Sequence, residues 1–263
     1  MPADKQLRHV LGLSGGKDSS ALAIYMRDRV PQMEYFFTDT GAELPETYEY
    51  LDRLEGFLGK PIARLSADRG FDHLLKMKNN FLPSPNTRWC TRELKIEPFE
   101  RWIGEDPAVT YIGIRADEPR DGYKSTKPNI TPAFPFKEAG LGLADIQRIL
   151  AESGLGIPEY YKWRSRSGCY FCFFQRKSEW VGLAKHHPDL FERAKAYEKP
   201  AENGTSSFTW SQGETLDQLI ARASEIQAES EKRATRAKKL TWQEILALAS
   251  ADEEDESCLI CSL

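Results

Sequence analysis

Ser14-Gly15-Gly16-Lys17-Asp18-Ser19 decides the reading of this chain. It follows the apolar run Val10-Leu11-Gly12-Leu13 and opens into Ser20-Ala21-Leu22-Ala23-Ile24-Tyr25-Met26. That is the pattern of a strand, a tight turn and a helix. Two adjacent glycines let the backbone bend and leave no side chain between it and a bound group. The free N–H groups of the turn and of the helix N-terminus then form an anion site. The common ATPase loop requires G-x-x-x-x-G-K-[ST]. Here Leu11 stands at the first glycine position and Asp18 at the Ser/Thr position, so this is a phosphate loop of another kind.

Outward from that loop, strands and helices alternate. Glu34-Tyr35-Phe36-Phe37-Thr38 reads as a second strand, and a helix follows over about 45–59, with Pro45 suited to its first turn. Pro61-Ile62-Ala63-Arg64-Leu65 reads as a third strand, and a helix runs from Phe71 to about Asn79. Val109-Thr110-Tyr111-Ile112-Gly113-Ile114 is apolar enough for a central fourth strand. Repeated βα units imply an α/β fold with a doubly wound, mainly parallel sheet. Ligands in such sheets bind beyond the carboxyl ends of the strands. The glycine loop, Thr38-Asp39-Thr40-Gly41 and Arg115-Ala116-Asp117-Glu118 all fall at such ends.

The bulk properties set limits. The chain has 263 residues, 40% hydrophobic and 29% charged, as ordinary globular proteins do. No apolar run approaches the ~20 residues of a membrane span. The first residues, Met1-Pro2-Ala3-Asp4-Lys5, lack an apolar core of the secretory type, and a cytoplasmic location is expected. The formal net charge of −4 argues against indiscriminate nucleic-acid binding and leaves room for a local basic groove. Five cysteines in such a chain point to metal or redox chemistry more than to disulfides.

After about residue 200 the character changes, and three units are expected: 1–200, a helical extension over 201–250, and a tail over 251–263. Asn203-Gly204-Thr205-Ser206-Ser207 reads as a loop. Ser211-Gln212-Gly213-Glu214 has capping-box spacing, and the helix it would start carries Leu216, Leu219, Ile220, Ala223 and Ile226 on one face. Its end is basic, through Lys232, Arg233, Arg236, Lys238 and Lys239. Thr241-Trp242-Gln243-Glu244 is a second capping box. An acidic run, Asp252 to Glu256, reads as a flexible linker before Ser257-Cys258-Leu259-Ile260-Cys261.

Residues 8 to about 200 resemble the phosphoadenosine phosphosulfate reductase family, the sulfur-handling branch of the PP-loop ATP pyrophosphatases. The strings that carry the resemblance are Ser14 to Ser19, Thr38 to Thr47, Arg88-Trp89-Cys90-Thr91 with Leu94, Lys95 and Pro98, Gly113 to Glu118, and Arg166-Ser167-Gly168-Cys169-Tyr170-Phe171-Cys172. The resemblance implies an adenine nucleotide alpha-hydrolase-like fold and cleavage of ATP between its α and β phosphates. It implies ATP and Mg²⁺ at Ser14, Gly15, Gly16, Lys17, Asp18, Ser19, Asp39 and Arg115. Sulfur chemistry is implied at Cys90, with a cysteine desulfurase as a sulfur donor.

Each of these residues also has a physical reading. Lys17 can neutralise a phosphate as a point charge. Ser14 and Ser19 offer hydroxyl donors. Asp18 suits the helix cap or water-mediated Mg²⁺. Asp39 suits metal or ribose contact, or a turn before Gly41. Arg115 can meet an anion with its planar fork, and Glu118 can balance it. Arg88, Arg92 and Lys95 would add positive charge beside Cys90, or pair with Glu93 and Glu97 on a solvated helix.

Cys169-x-x-Cys172 sits in a segment, 162–177, rich in cations and aromatics and free of acids. Such a pair can hold a metal, two corners of an iron–sulfur cluster, or a redox dithiol whose pKa nearby cations lower. With Cys90 it would suit a [4Fe-4S] cluster with one open position, Cys261 or Cys258 supplying a fourth ligand. Zinc is the structural alternative. The segment suits a nucleic-acid backbone with stacked bases, or a core-packed shell. The reductases of the family carry a Glu-Cys-Gly motif and, when cluster-bearing, a Cys-Cys pair, and neither occurs here. The expected activity is therefore an AMP-forming ATP pyrophosphatase in sulfur transfer to nucleic acid, as in DNA phosphorothioation. The alternatives are sulfonucleotide reduction, tRNA thiolation and a non-catalytic nucleotide-binding module.

Overall fold

The sheet is built around the strand that precedes the glycine loop. In a computed structural model, which describes residues 6–119, 125–199 and 208–237, five parallel strands run in the order β3-β2-β1-β4-β5. They are β1 (Arg8–Gly12), β2 (Glu34–Asp39), β3 (Ile62–Ser66), β4 (Ala108–Tyr111) and β5 (Ile130–Ala133). Val10 and Leu11 of β1 are fully buried, because helices cover both faces of the sheet. β1 pairs with β2 on one side (Leu11 opposite Tyr35) and with β4 on the other (Leu11 opposite Tyr111). Strand order reverses between β1 and β4, and in sheets of this kind the ligand crevice lies at that point, beyond the carboxyl ends.

On one face lie α1 (Lys17–Met26), α2 (Pro45–Leu58) and, later in the chain, Leu143–Glu152; Leu22, Leu51, Leu54, Ile146 and Leu150 pack there with Leu11, Tyr35 and Phe37. α2 ends at Gly59, whose positive φ of 63° suits a glycine terminator. After α3 (Phe71–Met77) comes α4 (Trp89–Thr91), which runs through one widened turn, Arg92–Ile96, into α5 (Glu97–Ile103). Phe99 and Ile103 of α5 cover the other face, against Val10 and Phe36.

β5 and the two helices that follow, α6 (Pro135–Glu138) and α7 (Leu143–Glu152), lie outside the strands and helices expected from sequence. Among the described residues β5 pairs only with β4, and at this sheet edge Pro132 needs no second ladder partner. Further helices among the described residues are α8 (Lys177–His186), α9 (Pro188–Lys195), α10 (Leu216–Ala221) and α11 (Ala223–Ala237). They build a further core with α3, Trp89 and the Tyr160–Phe171 segment. Trp210, Leu216, Leu219 and Ile226 belong to that core, which therefore extends past residue 200.

The expected cap of the extension helix is corrected. Ser211 and Glu214 form a tight turn through Gly213, at φ 80°, instead of a helix start. The cap is Thr215, which accepts a hydrogen bond from the Gln218 N–H while Gln218 reaches back to the Thr215 N–H. The helix also breaks at Arg222 into α10 and α11. The loop around Asn203, the basic residues Lys238 and Lys239, the second capping box at Thr241, the acidic run, Cys258 and Cys261 lie outside the described residues. No helix among the described residues is long and apolar enough to cross a membrane.

Candidate active site

The glycine loop turns where the sequence places it, and it does so under crowding. Gly15 has φ +69°, and a Cβ on it would lie 2.5 Å from Thr47 Cγ2 on α2. A Cβ on Gly16 would lie 2.8 Å from Ser167 Oγ. Gly113, just past β4, lets the chain come within 3.0 Å of the Asp18 carbonyl oxygen, measured from the Cβ it lacks. The loops after β1 and β4 can therefore touch.

Their charges meet at Arg115. Its guanidinium donates to Asp18 Oδ1 at 2.8 Å and to Asp117 Oδ1 at 2.8 Å, and pairs with Glu118 at 2.6 Å. Lys17 Nζ lies 3.1 Å from the other oxygen of Asp18. Asp18 is thus the ion-pair partner of both cations, and the cap of α1 is the Gly16 backbone, with no side-chain cap bond. That corrects the capping role expected of Asp18: its position inside the first turn aims it across the crevice instead. The balancing role expected of Glu118 holds. Burial opposes the charge on Arg115, but Asp18, Glu118 and Asp117 outweigh it and push its pKa up.

Ser19 is buried, and its hydroxyl donates to the Gly16 carbonyl at 3.3 Å and lies 3.2 Å from Ser14 Oγ. Asp39 ends β2 and takes the turn role, accepting from the Gly41 N–H and the Tyr48 hydroxyl at 2.8 Å each. Burial and this bond to Asp39 push the Tyr48 phenol well up.

The cysteines gather beside the loop that follows β2. Cys90, Cys169 and Cys172 line one pocket with Thr40, Lys95, Phe173 and Phe174, around about 460 Å³ of space partly open to solvent. Cys90 is carried by α4, and the widened turn that follows brings Leu94 and Lys95 to the same wall; such turns recur at functional sites. Arg164, 3% exposed, donates to the Gly168 and Cys169 carbonyls at 2.8 Å and fixes the turn that presents the pair.

Cys169 is held by groups that sequence reasoning missed. Its Sγ lies 3.2 Å from Thr40 Oγ1 and 3.6 Å from Glu43 Oε1. Glu43 is 6% exposed; its Oε1 lies 4.0 Å from Lys95 Nζ, and its Oε2 is buried without a hydrogen-bond partner. Burial pushes the Cys169 thiol well above its ordinary pKa, Glu43 adds to the rise, and Lys95 opposes it without prevailing. The lowering by cations expected of this pair does not prevail at Cys169, because burial opposes the thiolate first and the Glu43 carboxylate at 3.6 Å adds to it. The signal was available, since Glu43 lies inside the string Thr38 to Thr47.

As a donor set for a metal or cluster, the described cysteines do not fit. No three His, Cys, Asp or Glu side chains among the described residues are gathered closely enough to hold a metal ion, and Cys169 is engaged by Thr40 and Glu43. Of the other cations, Arg92 pairs with Glu97 at 3.2 Å and Lys78 with Glu93 at 2.6 Å. Much of the cationic, aromatic segment is core: Tyr170, Phe171 and Phe174 are buried, and Trp163 stacks on His186. Those buried rings offer no open platform for bases.

Residues 8–135 match the phosphoadenosine phosphosulfate reductase domain family. This segment is a domain of that family. The solved structure of phosphoadenylyl-sulfate (PAPS) reductase from Candida auris, a phosphate complex, superimposes with a TM-score of 0.51. The match has 14% identity and covers 63% of this chain and 82% of that one, a likeness of fold. An uncharacterised protein of Methanocaldococcus jannaschii is 27% identical over 70% of this chain, which spans only 40% of that relative's length. An uncharacterised nin region protein of Escherichia phage lambda is 28% identical over 67% of this chain and 69% of its own. The PAPS reductase-type domain thus supplies a nucleotide-binding frame, and the cysteine turn at 169–172 lies beyond the matched residues.

Proposed function

We propose that the chain is an AMP-forming ATP pyrophosphatase that acts in sulfur transfer. One observation carries the reading: Ser167 Oγ donates to Ser14 Oγ at 3.1 Å, so the cysteine turn is hydrogen-bonded to the nucleotide loop. ATP enters with its Mg²⁺ at Ser14–Ser19, where Lys17 and Arg115 offset the phosphate charge. An oxygen of the acceptor attacks the α-phosphorus and pyrophosphate leaves. A persulfide on a pocket cysteine, loaded by a desulfurase, then attacks the adenylated centre and AMP leaves. A second pocket thiol takes the carrier sulfur, which frees the thiolated acceptor and leaves a protein disulfide for an external dithiol to reduce. No step runs through a cluster or zinc.

The acceptor in this reading is nucleic acid, with DNA phosphorothioation as the specific case. Arg88 and Arg166 lie 5.0 and 5.7 Å from the ring of Phe174, which lines the pocket, and their charges there support an anionic acceptor. Sulfonucleotide reduction is the second reading, and the family match favours it. Incubation with Mg-ATP and acceptor discriminates. AMP with pyrophosphate supports the first reading, and ADP with phosphate overturns it. Thiol-dependent release of sulfite from a sulfonucleotide establishes the second.

A further inference from the structure

The segment from Tyr160 to Ser167 lies across the glycine loop, although 144 to 153 residues separate the partners in sequence. Tyr160, fully buried, donates its hydroxyl to the Gly15 carbonyl at 2.8 Å and anchors the contact. Tyr161 accepts the Lys17 N–H on its phenol oxygen at 3.1 Å, and Lys17 Nζ lies 5.2 Å from the centre of its ring. Ser167, 7% exposed, completes a row of hydroxyls, Ser167 to Ser14 to Ser19, over the space that Gly16 leaves by lacking a Cβ.

The protons of that row run one way. Ser167 donates to Ser14, and Ser19 donates to the Gly16 carbonyl, which leaves Ser14 to donate to Ser19. A phosphate oxygen that draws the proton of Ser14 or Ser167 re-aims the row. The Lys17 N–H belongs to the first turn of α1, where an anion would take it, and Tyr161 now holds it.

We infer that Ser167 and Tyr161 are residues of the phosphate site, Ser167 as a hydroxyl donor to the phosphate chain and Tyr161 as the group that yields the Lys17 N–H to it. The inference rests on the nucleotide reading above and deepens it. It places a phosphate contact two residues before Cys169, so nucleotide occupancy bears directly on the cysteine turn. The contact comes from residues beyond the 8–135 domain.

Calorimetric titration of the full chain with inorganic pyrophosphate, ATP and adenosine tests this. A hydrogen bond to a charged oxygen supports about a tenfold effect. Ser167→Ala should weaken pyrophosphate and ATP by about that factor, leave adenosine unchanged, and be rescued by Ser167→Thr. Tyr161→Phe, which frees the Lys17 N–H, should tighten pyrophosphate several-fold. In the wild type, pyrophosphate should change the rate at which iodoacetamide labels Cys172, and in Ser167→Ala that change should vanish. If the wild type binds neither ATP nor pyrophosphate, the nucleotide reading itself fails. If the wild type binds them and Ser167→Ala binds them equally well, this inference alone is overturned.

Discussion

Arg115 on the loop after β4 donates to Asp18 on the first turn of α1, 2.8 Å away and 97 residues distant in sequence. The pair closes the crevice between β1 and β4 electrostatically. A phosphate chain that enters must share Arg115 with three carboxylates and Lys17 with one.

Asp18→Asn and Arg115→Lys should therefore move affinity in opposite directions. Asp18→Asn releases both cations from one carboxylate, and pyrophosphate should bind several-fold more tightly. Arg115→Lys replaces a fork that reaches three acids with a point charge, and ATP should bind ~10-fold more weakly or worse. Titration of both variants checks this, and weaker pyrophosphate binding by Asp18→Asn would contradict it.

Gly15 and Gly41 have nearly the same positive φ, 69° and 68°, in different surroundings. Alanine at Gly41 meets nothing within 4 Å and costs only the strained backbone, about 1 kcal/mol. Alanine at Gly15 adds a clash with Thr47 Cγ2 on a buried side chain, for about 3 kcal/mol in all. Denaturant unfolding of the two variants measures the gap. Equal losses would mean that the loop has room to shift away from α2.

The sequence made the frame legible because its signals are local. The glycine loop, Pro45 at the first turn of α2 and the apolar β1 and β4 each declare themselves within ten residues. β5 did not, because Ile130-Thr131-Pro132-Ala133 is short and contains a proline that only an edge strand tolerates. Near the site, the residues themselves were visible and their partners were not. Arg115 and Asp18 were both singled out, but only the fold shows that they neutralise each other. Tyr161 and Ser167 reach the loop through contacts that no spacing encodes. Cys169 was read by the cations near it in sequence, whereas burial raises its pKa and Glu43, 126 residues away, adds to the rise.

That sign is measurable. Burial and the Glu43 carboxylate both disfavour a Cys169 thiolate, so iodoacetamide should label Cys169 slowly at pH 7 and faster only well into alkaline solution. Glu43→Gln removes the negative charge and leaves the burial. The rise in labelling should move to lower pH, while Cys169→Ser identifies the labelled site by mass spectrometry. A profile that stays in place, or moves to higher pH, would show that Glu43 does not act on the thiol.

The last relationship ties the C-terminal helices to α8. Glu214 accepts from Arg222 at 3.1 and 2.9 Å and pairs with Lys177, at the start of α8, at 2.8 Å. Arg222 first, and then Lys177, hold its pKa down from 4.5 to about 2. A depressed carboxylate pKa means stability that is present above the unfolded value and lost as pH falls through the folded one. Glu214→Gln should lower the unfolding midpoint at pH 7 by an amount equivalent to about 1 kcal/mol, the scale of a small surface ion-pair network. The gap to wild type should hold down to about pH 4.5 and close as pH falls toward about 2. A gap that stays constant across that range would mean that Glu214 acts through packing or neutral hydrogen bonds, and that its charge contributes nothing to holding α10 and α11 against α8.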